Sequence, residues 1–216
     1  DLAALQAQRL LPALLRPGER LVQRVGHDRR VSCLEHRTHS RRPGRDVRFS
    51  SSWMEVHLTP QHTVEKAAGL GGAELVSRSA SGLTKINGGR VDLEFTTPPG
   101  ASESELAVAW VREKARVESL PVATSERGRP ETRLLTTEMA KLVMRPGGEE
   151  VQSVETLSPG RLEFVPSQPA HWQRVLTAER MTAQYGTANR LETLRAFGKV
   201  HLRSDPPATL NLKIKY

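Results

Sequence analysis

The stretch AERMTAQYGTANRLETLRAFGKVHLRS, residues 178–204, decides the fold class. Met181, Ala183 and Tyr185 alternate with polar residues, which is the period of a strand with one buried face. The segment that follows, residues 186–189, reads Gly-Thr-Ala-Asn, and glycine and asparagine both tolerate a positive φ. The stretch therefore predicts an extended arm that ends in a polar turn.

The second arm alternates again over residues 197–202 and contains Gly198, which predicts a bulge or bend in the strand. Residues 191–197, LETLRAF, have helical spacing when they are taken alone. The glycines, threonines and asparagine in and around them disfavour a helix more than a strand-turn-strand. We therefore interpret the whole stretch as two strands around a turn.

The closing part of this unit recurs along the chain, which is typical of a repeat architecture. An apolar start, a kink of small residues and an alternating end are found at residues 21–33, 64–76, 106–119 and 151–165. The positions taken as equivalent are Val31, Leu75, Val117, Leu162 and Val200. They are 44, 42, 45 and 38 residues apart, so the period is loose.

A second alternating segment lies between these copies, at residues 46–58, 88–95, 133–144 and 174–185. Each is followed by turn residues such as proline or glycine, and LNLKIKY at the end of the chain also predicts a strand. Hairpins at this spacing predict an all-β, antiparallel protein. Residues 102–118 and 133–144 also have helix-forming composition. If both were helices, the class would be α+β.

The composition limits the function classes. The chain has 216 residues, a net charge of +8, 37% hydrophobic residues and one cysteine. No internal disulfide can form, and no stretch approaches the roughly 18–20 apolar residues of a membrane-spanning helix. The most apolar segment, residues 2–15, predicts at most a short helix near the N-terminus. A basic chain favours anionic partners such as nucleic acid, a membrane surface or a phosphorylated glycolipid.

The N-terminal part is rich in arginine, and residues 29–48 are expected to form a solvated loop. We therefore divide the chain into an Arg-rich segment, residues 1–45, which includes one degenerate repeat, and a repeated-hairpin domain, residues 46–216. Cys33, His36 and His39 lie three residues apart. Zinc requires four ligands at tighter spacing, so no metal site is predicted there.

The strand-turn-strand pattern resembles the OstA-like, or Lpt-type, β-jellyroll repeat of the periplasmic lipopolysaccharide-transport proteins, the LptA/LptC family. The residues that carry the resemblance are Leu176, Thr177, Ala178, Met181, Tyr185, Leu191, Leu194, Ala196, Gly198, Val200 and Leu202. Weaker copies extend it over residues 46–204. The family's anchored member has an N-terminal transmembrane helix that has no counterpart here, and residues 1–45 match poorly. The resemblance is therefore to a module or fragment of a relative.

The resemblance implies an elongated, folded-over sheet, called a β-jellyroll or β-taco, whose groove shelters the acyl chains of lipid A. Such modules stack edge to edge into a bridge across the periplasm to the outer membrane. The expected protein is periplasmic, either free or anchored through a segment outside this chain. It is not an enzyme and has no cofactor. Its expected partners are lipopolysaccharide, other Lpt-type β-jellyroll proteins joined by strand addition, and further copies of itself.

Alternation gives each strand one apolar face, and a sheet folded on itself would enclose a narrow slot. The candidate groove-lining residues are Val56, Leu58, Leu93, Phe95, Leu142, Met144, Met181, Tyr185, Val200 and Leu202. The candidate rim residues for glycolipid phosphates are Arg90, Arg161, Arg174 and Lys199. The same apolar residues would also serve as the core of a closed sandwich.

Three alternatives remain open from the sequence. One is a β-scaffold or protein-interaction module without lipid cargo. Another is a basic nucleic-acid-binding protein, which rests on charge alone because the chain has no helix-turn-helix, zinc-finger or RNA-recognition signature. The last is a hydrolytic or metal enzyme around Cys33, which lacks convergent catalytic partners.

Overall fold

The structure, a computed structural model, describes residues 30–42, 45–80, 82–122, 131–168 and 171–207. They form one twelve-stranded antiparallel sheet, and the only helical element among them is a 3-10 turn at Thr187–Asn189. The strands are β1 (Arg30–Arg42), β2 (Arg45–Leu58), β3 (Val64–Ser79), β4 (Gly82–Thr96), β5 (Glu105–Pro121), β6 (Thr132–Met144), β7 (Val151–Thr156), β8 (Gly160–Val165), β9 (Gln173–Ala178), β10 (Arg180–Tyr185), β11 (Leu191–Phe197) and β12 (His201–Asp205). The predicted all-β class is confirmed.

The sheet branches at β6. Strands β1 to β6 pair in chain order, and β6 then pairs with β8 through residues 132–137 and with β7 through residues 140–144. One branch continues through β10 and β11, and the other continues through β9 and β12. Strands β7 and β8 are thus two halves of one long strand, as are β9 and β10, and β11 and β12.

Every long strand from β2 onward is interrupted at a corresponding level. The interruptions fall at residues 51–52, 71–72, 88–89, 113–114, 138, 157–159, 179 and 198–200. Several of these residues have a positive φ, including Gly71, Gly198 and the non-glycine pair Glu113 and Lys114. A bulge bends a strand, and bulges aligned across neighbouring strands bend the whole sheet. We call this line of interruptions the crease.

The crease divides the sheet into two walls. The first wall contains β7, β10 and β11 with the adjoining halves of β2 to β6, and the second contains β8, β9 and β12 with the remaining halves. Buried residues of both walls form one core, so the walls face each other. Close contact is visible at Gly69 in the first wall, where a Cβ atom would lie 2.7 Å from Cζ of Phe49 in the second.

Each wall contributes a continuous row of apolar side chains to the interior. The row of the first wall is Val56, Ala67, Leu93, Ala109, Leu142, Val154, Ala183 and Leu194. The row of the second wall is Phe49, Leu75, Ile86, Val117, Leu135, Leu162, Leu176 and Leu202. Register pairing places each member directly beside the next, and the period of two keeps them all on one face.

Polar side chains satisfy backbone groups where the ladder is broken. Oγ1 of Thr156 accepts a hydrogen bond from the Met181 amide at 2.8 Å, and Thr156 is 1% exposed. Oγ of Ser158 accepts one from the Met139 amide at 2.9 Å, and Oγ of Ser52 donates to the Gly71 carbonyl at 2.6 Å. These bonds matter because an unsatisfied buried amide costs about 1–3 kcal/mol.

Two sequence-based alternatives are resolved in favour of strands. Residues 102–118 and 133–144 contain helix formers, yet the structure places β5 and β6 there. In β5, Ala109 and Val111 are buried while Trp110 and Arg112 are only half-buried, so tertiary burial of one face overrides the helix propensity.

The expected Arg-rich loop over residues 29–48 is wrong. β1 pairs with β2 from Arg30 opposite His57 to Arg42 opposite Arg45, so this region is a long hairpin of the same sheet. Backbone pairing with β2 supplies the hydrogen bonds that a solvated loop would seek from water. The boundary drawn between residues 45 and 46 falls inside β2, directly after its first residue. The expected N-terminal helix and the terminal LNLKIKY strand lie outside the described residues.

The loose repeat has a structural cause. Strands β3, β5, β7–β8 and β11–β12 run in the same direction, and they cross the crease at residues 71–72, 113–114, 157–159 and 198–200. One repeat is therefore one outward and one return strand with their turns. The structure places Leu75, Val117 and Leu162 in the inner row of the second wall, but the next equivalent member of that row is Leu202, so the predicted equivalence of Val200 is wrong. Val31 lies opposite Val56 in the first wall, so its predicted equivalence is wrong as well.

We predict that Thr156→Val lowers the free energy of unfolding by about 1–3 kcal/mol, because the isosteric change leaves the Met181 amide buried without an acceptor. Urea unfolding measures the effect. Thr136→Val is the matched control, because Oγ1 of Thr136 makes only a 3.4 Å contact on the exposed side of the sheet. Its expected effect is below about 0.5 kcal/mol. Equal losses of stability in the two variants would contradict the role of the Thr156 hydroxyl as the acceptor for the Met181 amide.

Candidate functional site: the slot between the walls

The interior contains a narrow slot between the walls. Its lining residues are Val117, Ser119, Arg133, Leu135, Val154, Thr156, Leu162, Met181, Ala183, Tyr185 and Leu194. The volume is about 30 Å³, which is close to the share of one water molecule in the liquid. Ligand pockets are typically about 300–1,000 Å³. In this structure the walls are therefore packed together, and the slot is a small gap between them.

The predicted groove-lining residues fall into three groups by burial. Leu93, Leu142 and Met181 are fully buried in the core. The half-buried members, of which all but Leu58 pack against that core, are Val56, Leu58, Phe95, Met144 and Tyr185. The exposed members are Val200 and Leu202, at 48% and 70% exposure. Only Met181 and Tyr185 from the predicted set line the slot.

Most of the residues that line the slot were not predicted from the sequence. Val117 and Leu135 belong to β5 and β6, whose helix-forming composition obscured their alternation. Arg133 was missed because an arginine is expected to face solvent. The residues also come from several strands, and only the register of those strands brings them together. Alternation alone would not have identified Leu135, because the interruption at residue 138 shifts the phase of β6 between Leu135 and Ala140.

Among the described residues, the interior is open at the edge formed by β11 and β12. Leu202 continues the inner row of the second wall directly beside Leu176, which is 8% exposed, yet Leu202 itself is 70% exposed. Val200, in the crease between β11 and β12, is also about half exposed, whereas the exposed Phe197 pairs with Arg180 on the outer face. No described residue of the first wall covers Leu202. The apolar interior thus reaches the surface at this edge, which we call the lip.

A polar contact joins the walls at one end of the slot. Arg133 lies in the second wall, and its guanidinium carbon is 5.9 Å from the ring centroid of Tyr185 in the first. Nη1 of Arg133 donates to the Asn189 carbonyl at 3.1 Å. Arg145 donates from Nη2 to the Tyr185 carbonyl at 2.5 Å. The cation–π contact and the hydrogen bond of Arg133 together hold the walls closed there.

The turn that receives Arg133 is itself well ordered by hydrogen bonds. Asn189 has a φ of 51° and is 6% exposed, and its Oδ1 accepts a bond from the Val151 amide at 2.8 Å. Oε1 of Glu150 accepts one from the Ala188 amide at 2.9 Å. Asparagine is well suited to this position because it tolerates the left-handed region. The polar turn predicted after Tyr185 is confirmed.

The predicted rim residues are all paired with carboxylates. Nε of Arg90 donates to both carboxylate oxygens of Asp92 at 2.9 Å, and Nε of Arg161 lies 3.0 Å from Glu163. The hydrogen bond with Asp92 raises the pKa of Arg90, and the one with Glu163 raises the pKa of Arg161.

The remaining two rim residues are paired as well. Arg174 binds Glu131 at 2.6 Å, and Nζ of Lys199 lies 3.0 Å from Glu179. None of the four predicted rim residues lines the slot. A phosphate group would have to replace an existing carboxylate at each of them.

Comparison with known proteins does not assign the chain: no protein-family model, curated protein or solved structure matches it. Within the described ranges, no helix is long and apolar enough to cross a bilayer. Those ranges also contain no cluster of three side chains that could ligate a metal ion.

We predict that Leu142→Ala lowers the free energy of unfolding by about 2–5 kcal/mol, because it opens a cavity at a side chain with 0% exposure. Leu202→Ala is the matched control. It removes the same atoms from the exposed lip, so its expected effect is below about 0.5 kcal/mol. Denaturant unfolding compares the two. A loss above about 2 kcal/mol for Leu202→Ala would show that the lip is covered in solution.

Tyr185 gives a pH-dependent test of the Arg133 contact. Burial raises the pKa of Tyr185 above its usual value of 10.0, and the charge of Arg133 acts in the opposite direction. The folded state therefore holds the phenol proton more tightly than the unfolded chain. The resulting stabilisation is complete below a pH of about 10 and is lost as the pH rises through the folded pKa.

We predict that Arg133→Gln raises the pKa of Tyr185 further, because it removes the positive charge that stabilises the phenolate. Titration of tyrosinate absorbance measures this shift, and Tyr185→Phe identifies the late-ionising group. Arg161→Gln, on the outer side of the second wall, should leave the titration unchanged. A downward shift in Arg133→Gln would contradict the proximity of the two side chains.

Proposed function

We propose that this protein is a non-enzymatic, periplasmic lipid-binding module that shelters the acyl chains of lipopolysaccharide between its two walls. It would form part of a bridge that carries lipid A to the outer membrane. The observation that carries the proposal is the pair of inner apolar rows, which cross the described sheet from β2 to β11 and β12 and end at the exposed lip. A row that continues into an uncovered Leu202 provides a path from surface to interior.

Acyl chains suit such a path because they need no directional contacts. Each buried CH₂ group contributes about 0.8 kcal/mol, so a chain of about ten carbons offsets a substantial cost of separating the walls. Separation is easiest near the lip, where β11 and β12 are largely exposed. A slot of about 30 Å³ is too small for an acyl chain, so loading requires the walls to part.

Bridge formation requires partners, and the sheet provides edges. Among the described residues, β1 pairs only with β2, β11 only with β10, and β12 only with β9. An unpaired edge is a template for strand addition. We propose other Lpt-type β-jellyroll proteins, or further copies of this chain, as the partners at these edges.

The charge pattern supports a lipid module better than nucleic-acid binding. Many arginines on the outer face are paired with an acid two positions away, as in Arg90 with Asp92 and Arg203 with Asp205. Nucleic-acid-binding surfaces concentrate unpaired positive charge on one face. The net charge of +8 is what remains after these acids are counted, and most of it comes from residues 1–45, which contain ten arginines and four acidic residues.

A β-scaffold without lipid cargo is the second candidate. The observation that favours it is the closed slot, because the same residues pack well without any ligand. In that case the lip would be a protein-docking surface, and Val200 and Leu202 would contact a partner protein instead of lipid.

Photo-crosslinking separates these two functions. A benzophenone side chain is placed at Leu202 or Leu194, which face the interior, and separately at Arg203 or Arg195, their neighbours on the opposite face. We expect lipopolysaccharide adducts at the two leucine positions and none at the arginine positions, in cells that make lipopolysaccharide. Protein adducts at Leu202 without lipid adducts, in a folded variant, would overturn lipid transport and favour the scaffold.

A further inference from the structure

Arg133 differs in its surroundings from the described arginines that form ion pairs. Ion pairs with aspartate or glutamate are made by Arg48, Arg90, Arg112, Arg116, Arg161, Arg174, Arg180, Arg190 and Arg203. Arg133 instead contacts an aromatic ring and a backbone carbonyl, and no described carboxylate pairs with it. Glu131, two residues away, is bound to Arg174.

The position of Arg133 explains why this difference matters. It is half-buried, lines the slot, and lies opposite Ser119 in the register of β5 and β6. Its other neighbours in the slot include Val117 and Leu135, which are buried and apolar. An arginine does not lose its proton in a protein, so the charge persists in this apolar setting. A buried charge favours an ionic partner, and the described residues provide only neutral ones.

We propose that Arg133 is the anchor for the anionic head group of the amphiphile whose acyl chain enters the slot. This inference rests on the proposed function and names the chemistry that the site selects: a phosphate or carboxylate attached to a long alkyl chain. The guanidinium fork matches either anion with two parallel hydrogen bonds. The Ser119 hydroxyl, directly across the strand pair, provides a further donor.

The same contacts give Arg133 a second role, which is to hold the two walls together. Its hydrogen bond to Asn189 and its stacking on Tyr185 link the walls across the slot. An arriving anion replaces a neutral carbonyl as the acceptor, and it adds a second parallel hydrogen bond and the attraction between opposite charges. Binding of the head group thus releases the contact that holds the walls together, so loading and opening are coupled. A neutral lipid lacks the anionic group that this exchange requires.

The test compares three probes on the full chain by calorimetry: palmitate, the neutral monopalmitoylglycerol with the same acyl chain, and diphosphoryl lipid A. We expect the wild-type protein to bind the two anionic probes more tightly than the neutral one. Arg133→Gln should weaken both anionic probes by at least about tenfold and leave the neutral probe unchanged. Arg133→Lys should restore part of the affinity, and Arg116→Gln, which removes an exposed charge paired with Glu118 on the outer face, is the matched control with no expected change.

The outcomes distinguish the two proposals. If the wild-type protein binds none of the probes, the lipid-binding function and the anchor both fail. If Arg133→Gln weakens all probes equally or none of them, the anchor fails while lipid binding stands. A loss confined to palmitate identifies a carboxylate as the head group, and a loss confined to lipid A identifies a phosphate.

Salt dependence provides a check that needs no variant, in case Arg133→Gln does not fold. Because ions screen charged contacts, wild-type affinity for palmitate should fall as the salt concentration rises, whereas affinity for monopalmitoylglycerol should not. Equal salt responses for the two probes would overturn the anchor.

Discussion

The crease is the constraint on which the rest of the structure depends. Strands of fourteen to seventeen residues form a wide sheet with one apolar face, and that face is buried only if every strand bends at the same level. The chain achieves this with different residues in each strand: serines in β2, glycine pairs in β3 and β4, and Glu113 with Lys114 at positive φ in β5. Buried acceptors such as Thr156 and Ser158 then satisfy the amides that the bends release.

A sheet folded along one line is closed at the crease and free to open along its other borders. This geometry explains why core packing and surface exposure occur within one row of side chains: Leu162 and Leu176 are buried, while the adjacent Leu202 is not. It also explains why a polar contact is placed at the slot. The crease fixes the walls on one side only, so Arg133 and Tyr185 supply a separate connection away from it.

The parts of the fold that were predictable from sequence are those in which one residue type has one physical role. Alternation identified the strand from Met181 to Tyr185, and glycine identified the bend at Gly198, which has a φ of 66°. Glu113 carries no such signal, because a charged helix former at positive φ gives no local sign of a bend. The interior location of Arg133 was equally hidden, since only the pairing of β6 with β5 and β8 places it beside the slot.

The closed slot and the exposed lip have opposite effects on stability: the packed walls bury apolar surface, and the lip leaves apolar surface in water. In this structure the walls are stabilised by packing against each other, while Leu202 remains in water at an unfavourable free energy of about 25 cal/mol for each Å² of apolar surface. Under the proposed function, an acyl chain entering at the lip would cover Leu202 and would take the place of the opposite wall as its apolar neighbour. The surfaces exchanged in that step would all be apolar, so they would not distinguish one acyl chain from another. The selectivity of such a site must therefore come from its charged residue rather than from its apolar walls.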